Sequence, residues 1–182
     1  MNKYKLTNFV IHRKVLYFLR VIFMLHIDVI CVGKLKEDFF KSAILEYSKR
    51  LSKYCVLNII ELPDEKVPSV LSNSEKLKII EKESNAIATH IKENSYVIGL
   101  DLNGKQYCSE DFSKKLEKST LFCSHITFLI GGTLGMSHSL ISSCNELISF
   151  SKMTFPHQLI RVFLLEQLFR SFKIQNNETY HH

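Results

Sequence analysis

The residues with the most chemical content lie in the last third of the chain. They are Ile130-Gly131-Gly132-Thr133-Leu134-Gly135, then Leu147-Ile148-Ser149-Phe150-Ser151-Lys152-Met153-Thr154-Phe155-Pro156-His157-Gln158, then Arg161. Glycines at the end of an apolar run let backbone approach a ligand with no Cβ in the way. A second polar loop close behind puts two loops at neighbouring strand ends, the arrangement that forms a ligand crevice in α/β sheets. Pro156 suits the first turn of a helix, whose N-terminus carries partial positive charge. His157 and Arg161 stand at i and i+4 and share a helix face. Histidine can take a proton near neutrality, and arginine can stabilise an anion or hold a phosphate. Two plainer readings stay open: His157 hydrogen-bonded to its own loop, and Arg161 in a structural ion pair across a dimer.

These residues need elements to hold them. His26–Val32 is β-branched and alternating, a strand; Gly33-Lys34-Leu35-Lys36 turns it into a helix reaching about Lys53. Cys55–Leu62 is a second strand, closed by Pro63-Asp64-Glu65-Lys66. Ser74 is the expected N-cap of an amphipathic helix, Glu75–Lys92, with Leu77, Ile80, Ile87 and Ile91 inward. Ser95–Leu102 reads as a buried strand ended by an Asn103-Gly104 turn, and Ser109 caps a short helix to about Lys118. His125–Ile130 is a central strand, Ser137–Ser143 a short helix, Glu146–Phe150 a short strand and Pro156–Ile174 the last helix. This βα alternation with unbroken apolar strands predicts an α/β fold, a parallel sheet flanked by helices.

The last helix is apolar all round, with Leu159, Val162 and Phe163 on one side and Leu165, Leu168 and Phe172 on another. Such a helix is buried on more than one face. The sheet covers one face; a homodimer would cover the other, the alternative being a monomer with an exposed greasy helix.

The 182 residues suffice for one domain with a real core. The net charge is +6, but residues 1–23 hold Lys3, Lys5, Arg13, Lys14 and Arg20 and no acid. The remainder carries 19 basic and 18 acidic groups, so overall basicity gives no argument for nucleic acid. Residues 1–23 are expected to be an appendage outside the fold, with Met24 as the natural first residue; a membrane-surface helix is the alternative. The run Val15–Val32 is broken by Arg20, His26 and Asp28, which argues against a membrane span or signal peptide. Five scattered cysteines without C-x-x-C pairs suit reduced thiols in a cytoplasmic protein, and no metal site is expected.

The chain resembles the RlmH family (formerly YbeA) of SPOUT-class methyltransferases. The resemblance rests on Ile130-Gly131-Gly132, Leu134-Gly135, Leu147–Gln158, Arg161, Glu166-Gln167, Arg170 and Tyr180-His181. Val32–Lys36, Tyr47–Leu51 and Leu62–Lys66 match as well, so about residues 25–182 are covered. It implies one SPOUT domain over residues 24–182 with a C-terminal trefoil knot, a homodimer, and S-adenosylmethionine as cofactor. It also implies the reaction: methylation of N3 of a pseudouridine in the helix-69 loop of 23S ribosomal RNA, on the assembled 70S ribosome. A catalytically inactive ribosome-binding factor of the same fold is the alternative. Carried over by match, Leu100, Gly131 and Phe150-Ser151-Lys152-Met153-Thr154-Phe155 hold the cofactor, with Leu100, Met153 and Phe155 flanking its adenine. His157 is the candidate base and Arg161 the candidate anion stabiliser; Tyr180 and His181 reach the active site, Tyr180 stacking on a base or ribose. Lys34, Lys36, Arg161 and Arg170 are the expected RNA contacts. His182 stands where the family carries Lys or Arg, and Phe169 where it often has Tyr.

Overall fold

The computed structural model describes residues 24–180. The expected appendage 1–23 and His181 lie outside the described residues. The strands are β1 (Leu25–Val32), β2 (Cys55–Leu62), β3 (Tyr96–Gln106), β4 (His125–Ile130) and β5 (Glu146–Ser149). The helices are α1 (Asp38–Leu51), α2 (Asn73–Ala88), α3 (Ser109–Thr120), α4 (His138–Ser143) and α5 (His157–Gln175). All strand pairs are parallel, in the order β2-β1-β4-β3-β5.

The alternation of strand side chains divides the core into two layers. Ile27, Val29 and Cys31 of β1 and Ile126, Phe128 and Ile130 of β4 meet Ile44 and Leu51 of α1, Phe112 and Leu116 of α3, and Leu164, Leu165, Leu168 and Phe172 of α5. Ile30, Val32 and Leu129 face the other way, against Ile87 of α2 and Leu140 of α4. Both faces are therefore covered, which is why Val29–Val32 of β1 and Phe128–Ile130 of β4 are unbroken apolar stretches.

Four element ends differ from the sequence reading. The N-cap of α2 is Ser72, not Ser74: its side chain accepts from the Glu75 amide while the Glu75 carboxylate accepts from the Ser72 amide at 2.8 Å. Ser72 and Glu75 have the three-residue spacing of a capping box, and that reciprocal pair wins. The same helix stops at Ala88 instead of Lys92, and Asn94 takes a left-handed φ of 59° before β3. Asn103-Gly104 does not end β3. The strand shifts register between Leu100 and Lys105, the Asp101 carboxylate accepts from the Asn103 amide at 2.9 Å, and pairing with β5 resumes at Lys105. Here Gly104 lies directly against the Ile148 backbone, where any Cβ would collide. Ser109 is also not a cap: α3 starts after Cys108, and the Ser109 hydroxyl donates to Gln167 Oε1 at 2.9 Å.

Candidate active site

The C-terminal ends of β3, β4 and β5 open into one cleft of about 480 Å³, within the size range of cofactor sites. Leu100, Leu102 and Asn103 come from the irregular part of β3, Gly131–Met136 from the turn after β4, and Ser149–Ser151 with Thr154–His157 from the loop into α5. Gly131 is held by contact: a Cβ there would stand 2.8 Å from the Gly135 carbonyl carbon and from Met136 Cγ. Such a crowded glycine turn leaves backbone as the cleft floor. A neighbouring hollow of about 500 Å³ lies behind the same loop, sharing Ile148–Ser151 and Phe155. It is walled by Phe112, Phe163 and Glu166 and lacks both the glycine turn and His157, so the first cleft is the candidate site.

Of the residues carried over for a cofactor, Leu100, Gly131, Phe150, Ser151, Thr154 and Phe155 line the cleft. Lys152 and Met153 do not; both are exposed, Met153 by 70 %, so the expected Met153 flank on an adenine is absent from this arrangement. The bend that brings Thr154 and Phe155 inward carries these two outward, with the Ser151 hydroxyl accepting from the Met153 amide at 3.0 Å. The lining is apolar at Leu100, Leu102, Met136, Ile148, Phe155 and Ile160, with backbone of the two loops between. A flat heteroaromatic ring with polar edges fits such walls, and a nucleoside cofactor has that chemistry.

His157, first residue of α5, stands at the cleft. Its ring packs on Gly33, where an added Cβ would meet Nε2 at 2.8 Å and where φ is +88°. Burial, reinforced by the Arg161 charge, holds its pKa below the usual histidine value of 6.5. The neutral imidazole is therefore the resting form at pH 7, and it can accept a proton.

Arg161, read either as an anion stabiliser or as part of an ion pair across a dimer, is held in an ion pair within the chain. It is 1 % exposed, with Nη1 donating to Glu61 Oε1 at 2.7 Å and Nη2 to the carbonyls of Val32 (2.9 Å) and Gly33 (2.6 Å). It clamps α5 to the ends of β1 and β2 and presents no open donor face to an RNA phosphate. The Glu61 carboxylate also accepts from the Leu35 amide, and Gln158 Oε1 from the Lys36 amide. The helix start that carries His157 is thus bolted to residues 33–36. Residues 161, 164, 165 and 168 follow the i, i+3, i+4, i+7 stripe of the core, a signal in the sequence that Arg161 would be buried.

Tyr180 lies outside the cleft. Its ring meets Phe169 edge-on at 5.0 Å and sits under the Arg170 guanidinium at 5.0 Å, three turns along α5 from the cleft-lining Ile160. Arg170, expected to face RNA, pairs with Glu166 at 2.7 Å; Lys34 and Lys36 are exposed.

Glu83 is a residue that sequence reasoning missed. It is 5 % exposed; Oε1 accepts from the Glu65 amide at 3.0 Å, and Oε2 has no partner and lies against Gly132. Burial raises its pKa. Its neighbour Ser84 accepts from the Ser137 amide at 2.8 Å. Together they hold the β2–α2 loop and the glycine turn to one helix. An acid on the same stripe as Ile80 and Ile87 is the available sequence signal.

Residues 25–181 match the family model described as predicted SPOUT methyltransferase. The chain belongs to the SPOUT methyltransferases, a family membership that implies a trefoil knot. Within that class it belongs to the RlmH branch. It is 57 % identical over 158 residues to ribosomal RNA large subunit methyltransferase H of Clostridium botulinum (strain 657 / Type Ba4), covering 86 % of this chain and 99 % of that one. It is 55 % identical, with the same coverage, to ribosomal RNA large subunit methyltransferase H 1 of Clostridium perfringens (strain SM101 / Type A). Among the described residues, no helix is long and apolar enough to cross a membrane.

Proposed function

We propose that this methyltransferase uses S-adenosylmethionine to methylate N3 of a pseudouridine in the helix-69 loop of 23S ribosomal RNA, acting in the cytoplasm as a homodimer on the assembled 70S ribosome. The observation that carries the reading is the meeting of three chain segments, around Leu100, Gly131–Gly135 and Phe150–Phe155, at one cleft with a neutral histidine beside it. The cofactor, when bound, supplies an electrophilic methyl group. Leu100, Gly131, Phe150, Ser151, Thr154 and Phe155 would hold it, the apolar side chains against its ring and the backbone against its polar edges.

The remaining work falls to the protein. His157 takes the N3 proton from the target base, which makes that nitrogen a nucleophile. Packing on Gly33 and the Arg161 clamp fix the ring's place. The N-terminus of α5 lends partial positive charge as the base becomes anionic. The half-buried stripe Leu159, Val162 and Phe163 supports a second copy covering α5. A near-neutral body suits a large preassembled substrate, reached by shape and few ionic contacts, so binding to the naked hairpin is weak and salt-sensitive.

The test is mass spectrometry of ribosomal RNA from a strain lacking the gene, complemented with the wild-type or the His157→Ala chain, beside calorimetry with S-adenosylmethionine. The methyl mark returns with the wild-type chain only, and both proteins bind the cofactor. Full-rate recovery with His157→Ala removes His157 from the mechanism; heat-silent titrations together with an absent mark in all strains refute the proposal.

A further inference from the structure

We propose that a basic hollow at the far end of α5 binds the phosphate backbone of the RNA substrate. The inference rests on the reading of the substrate as RNA, and the site is separate from the cleft. The hollow, of about 480 Å³, lies where the C-terminal ends of α1 and α5 meet. Lys49, Arg50, Lys53 and Lys173 line it, over the aromatic rings of Tyr54 and Phe169.

Two carboxylates share the hollow, and both are engaged. Glu46 accepts from Arg50 Nε at 2.8 Å; Glu178 accepts from Lys173 Nζ at 2.5 Å and from the Tyr54 hydroxyl at 3.1 Å. Among the described residues neither Lys49 nor Lys53 forms an ion pair, although Lys53 lies close enough for its field to act on Glu178. Two positive charges are left over, on exposed side chains, in a body whose basic and acidic groups otherwise nearly cancel. Cations at helix ends also complement the helix dipole. That accounts for Lys49, Arg50 and Lys173, which stand in last turns, and not for Lys53, which lies beyond α1.

A concave site with surplus lysines over aromatic rings fits a polyanion. From Ile160 to Lys173, α5 spans on the order of 20 Å. One RNA of ribosomal size can therefore engage the cleft and the hollow together.

The experiment compares wild type, Lys49→Glu/Lys53→Glu and Lys49→Arg/Lys53→Arg, measuring methylation of 70S ribosomes at several salt concentrations and cofactor binding by calorimetry. The glutamate pair raises KM for ribosomes tenfold or more, leaves kcat and cofactor affinity at wild-type values, and flattens the plot of log affinity against log salt by about 1.4–1.8. The arginine pair behaves as wild type. If the glutamate pair keeps the wild-type KM and salt slope, the hollow is not an RNA site, while the methyltransferase reading stands. If the wild-type protein does not methylate ribosomes but the glutamate pair still loses affinity for them, the hollow stands and the reaction is another. An arginine pair as impaired as the glutamate pair overturns the charge argument.

Discussion

The two ends of the sheet treat buried polar groups in opposite ways. At the N-terminal end, Asp28 is 2 % exposed and fully engaged: His125 Nε2 bonds it at 2.8 Å and Lys92 Nζ lies at 3.2 Å. Beside it Ser95 and Thr127 share a hydrogen bond of 2.6 Å. At the C-terminal end, Glu83 Oε2 and Arg161 Nε are buried with no partner. Native proteins satisfy nearly all such groups, so the exceptions need a reason. One end closes the domain; the other frames the cleft with loops, crowded glycines and charges fixed by geometry more than by complete bonding. The proposed binding cleft lies at the end where satisfaction is incomplete.

That contrast can be broken experimentally. The largest stability effect is expected at Arg161. Arg161→Ala strips the donor from two carbonyls and from Glu61, and costs about 3 kcal/mol, the low end for a broken buried pair because Glu61 keeps water contact. Urea unfolding measures it; a loss under about 1 kcal/mol would show that the clamp is ornamental.

His157→Gln should leave the fold intact and lower kcat by about 10²–10⁴. The pH profile adds a sharper reading. Because burial and Arg161 depress the pKa of His157, the acid limb of the kcat/KM profile has its midpoint below pH 6.5. The unfolded chain binds this proton more readily, so stability also declines as pH drops below 6.5. An acid limb centred above 6.5 contradicts the assignment.

Asp28→Asn probes the opposite end, with an expected cost of about 1–3 kcal/mol and no change in kcat. Burial works to raise the Asp28 pKa, and the bonds from His125 and Lys92 outweigh it, giving a net lowering. Its contribution is present above pH 3.8 and lost as pH falls below that value through the folded pKa. A changed kcat would mean that the two ends are coupled.

Glu83→Gln carries the smallest effect. Burial raises the Glu83 pKa, so ionisation at neutral pH costs stability. The variant should gain up to about 1 kcal/mol at pH 7 and little at pH 4, where the wild-type side chain is already mostly protonated. Equal gains at both pH values would point to shape instead of charge.

The sequence made β2 and β4 legible to the residue, because each is an apolar run of strand length between turn residues. The end of β3 was not legible: Asn103-Gly104 has turn chemistry, and a contact with Ile148, more than forty residues later, bends it into a bulge. The cleft residues were readable in part because two motif loops are local. The inward or outward sense of Lys152 and Met153 depends on how the loop bends, which composition does not encode. The place of Tyr180 follows from Phe169, Arg170 and Tyr47 waiting on two helices, and nothing in the tail itself announces them.

The strand order has a consequence for synthesis. β4 sits in the middle of the sheet, yet it leaves the translating ribosome after both of its neighbours, β1 and β3. At about 5–20 residues per second, seconds pass in which the edges of β1 and β3 that pair with β4 lack that partner for their backbone N–H and C=O groups. During that interval the nascent chain is open to wrong pairing, and completion of the domain waits for a single six-residue segment to slide into place.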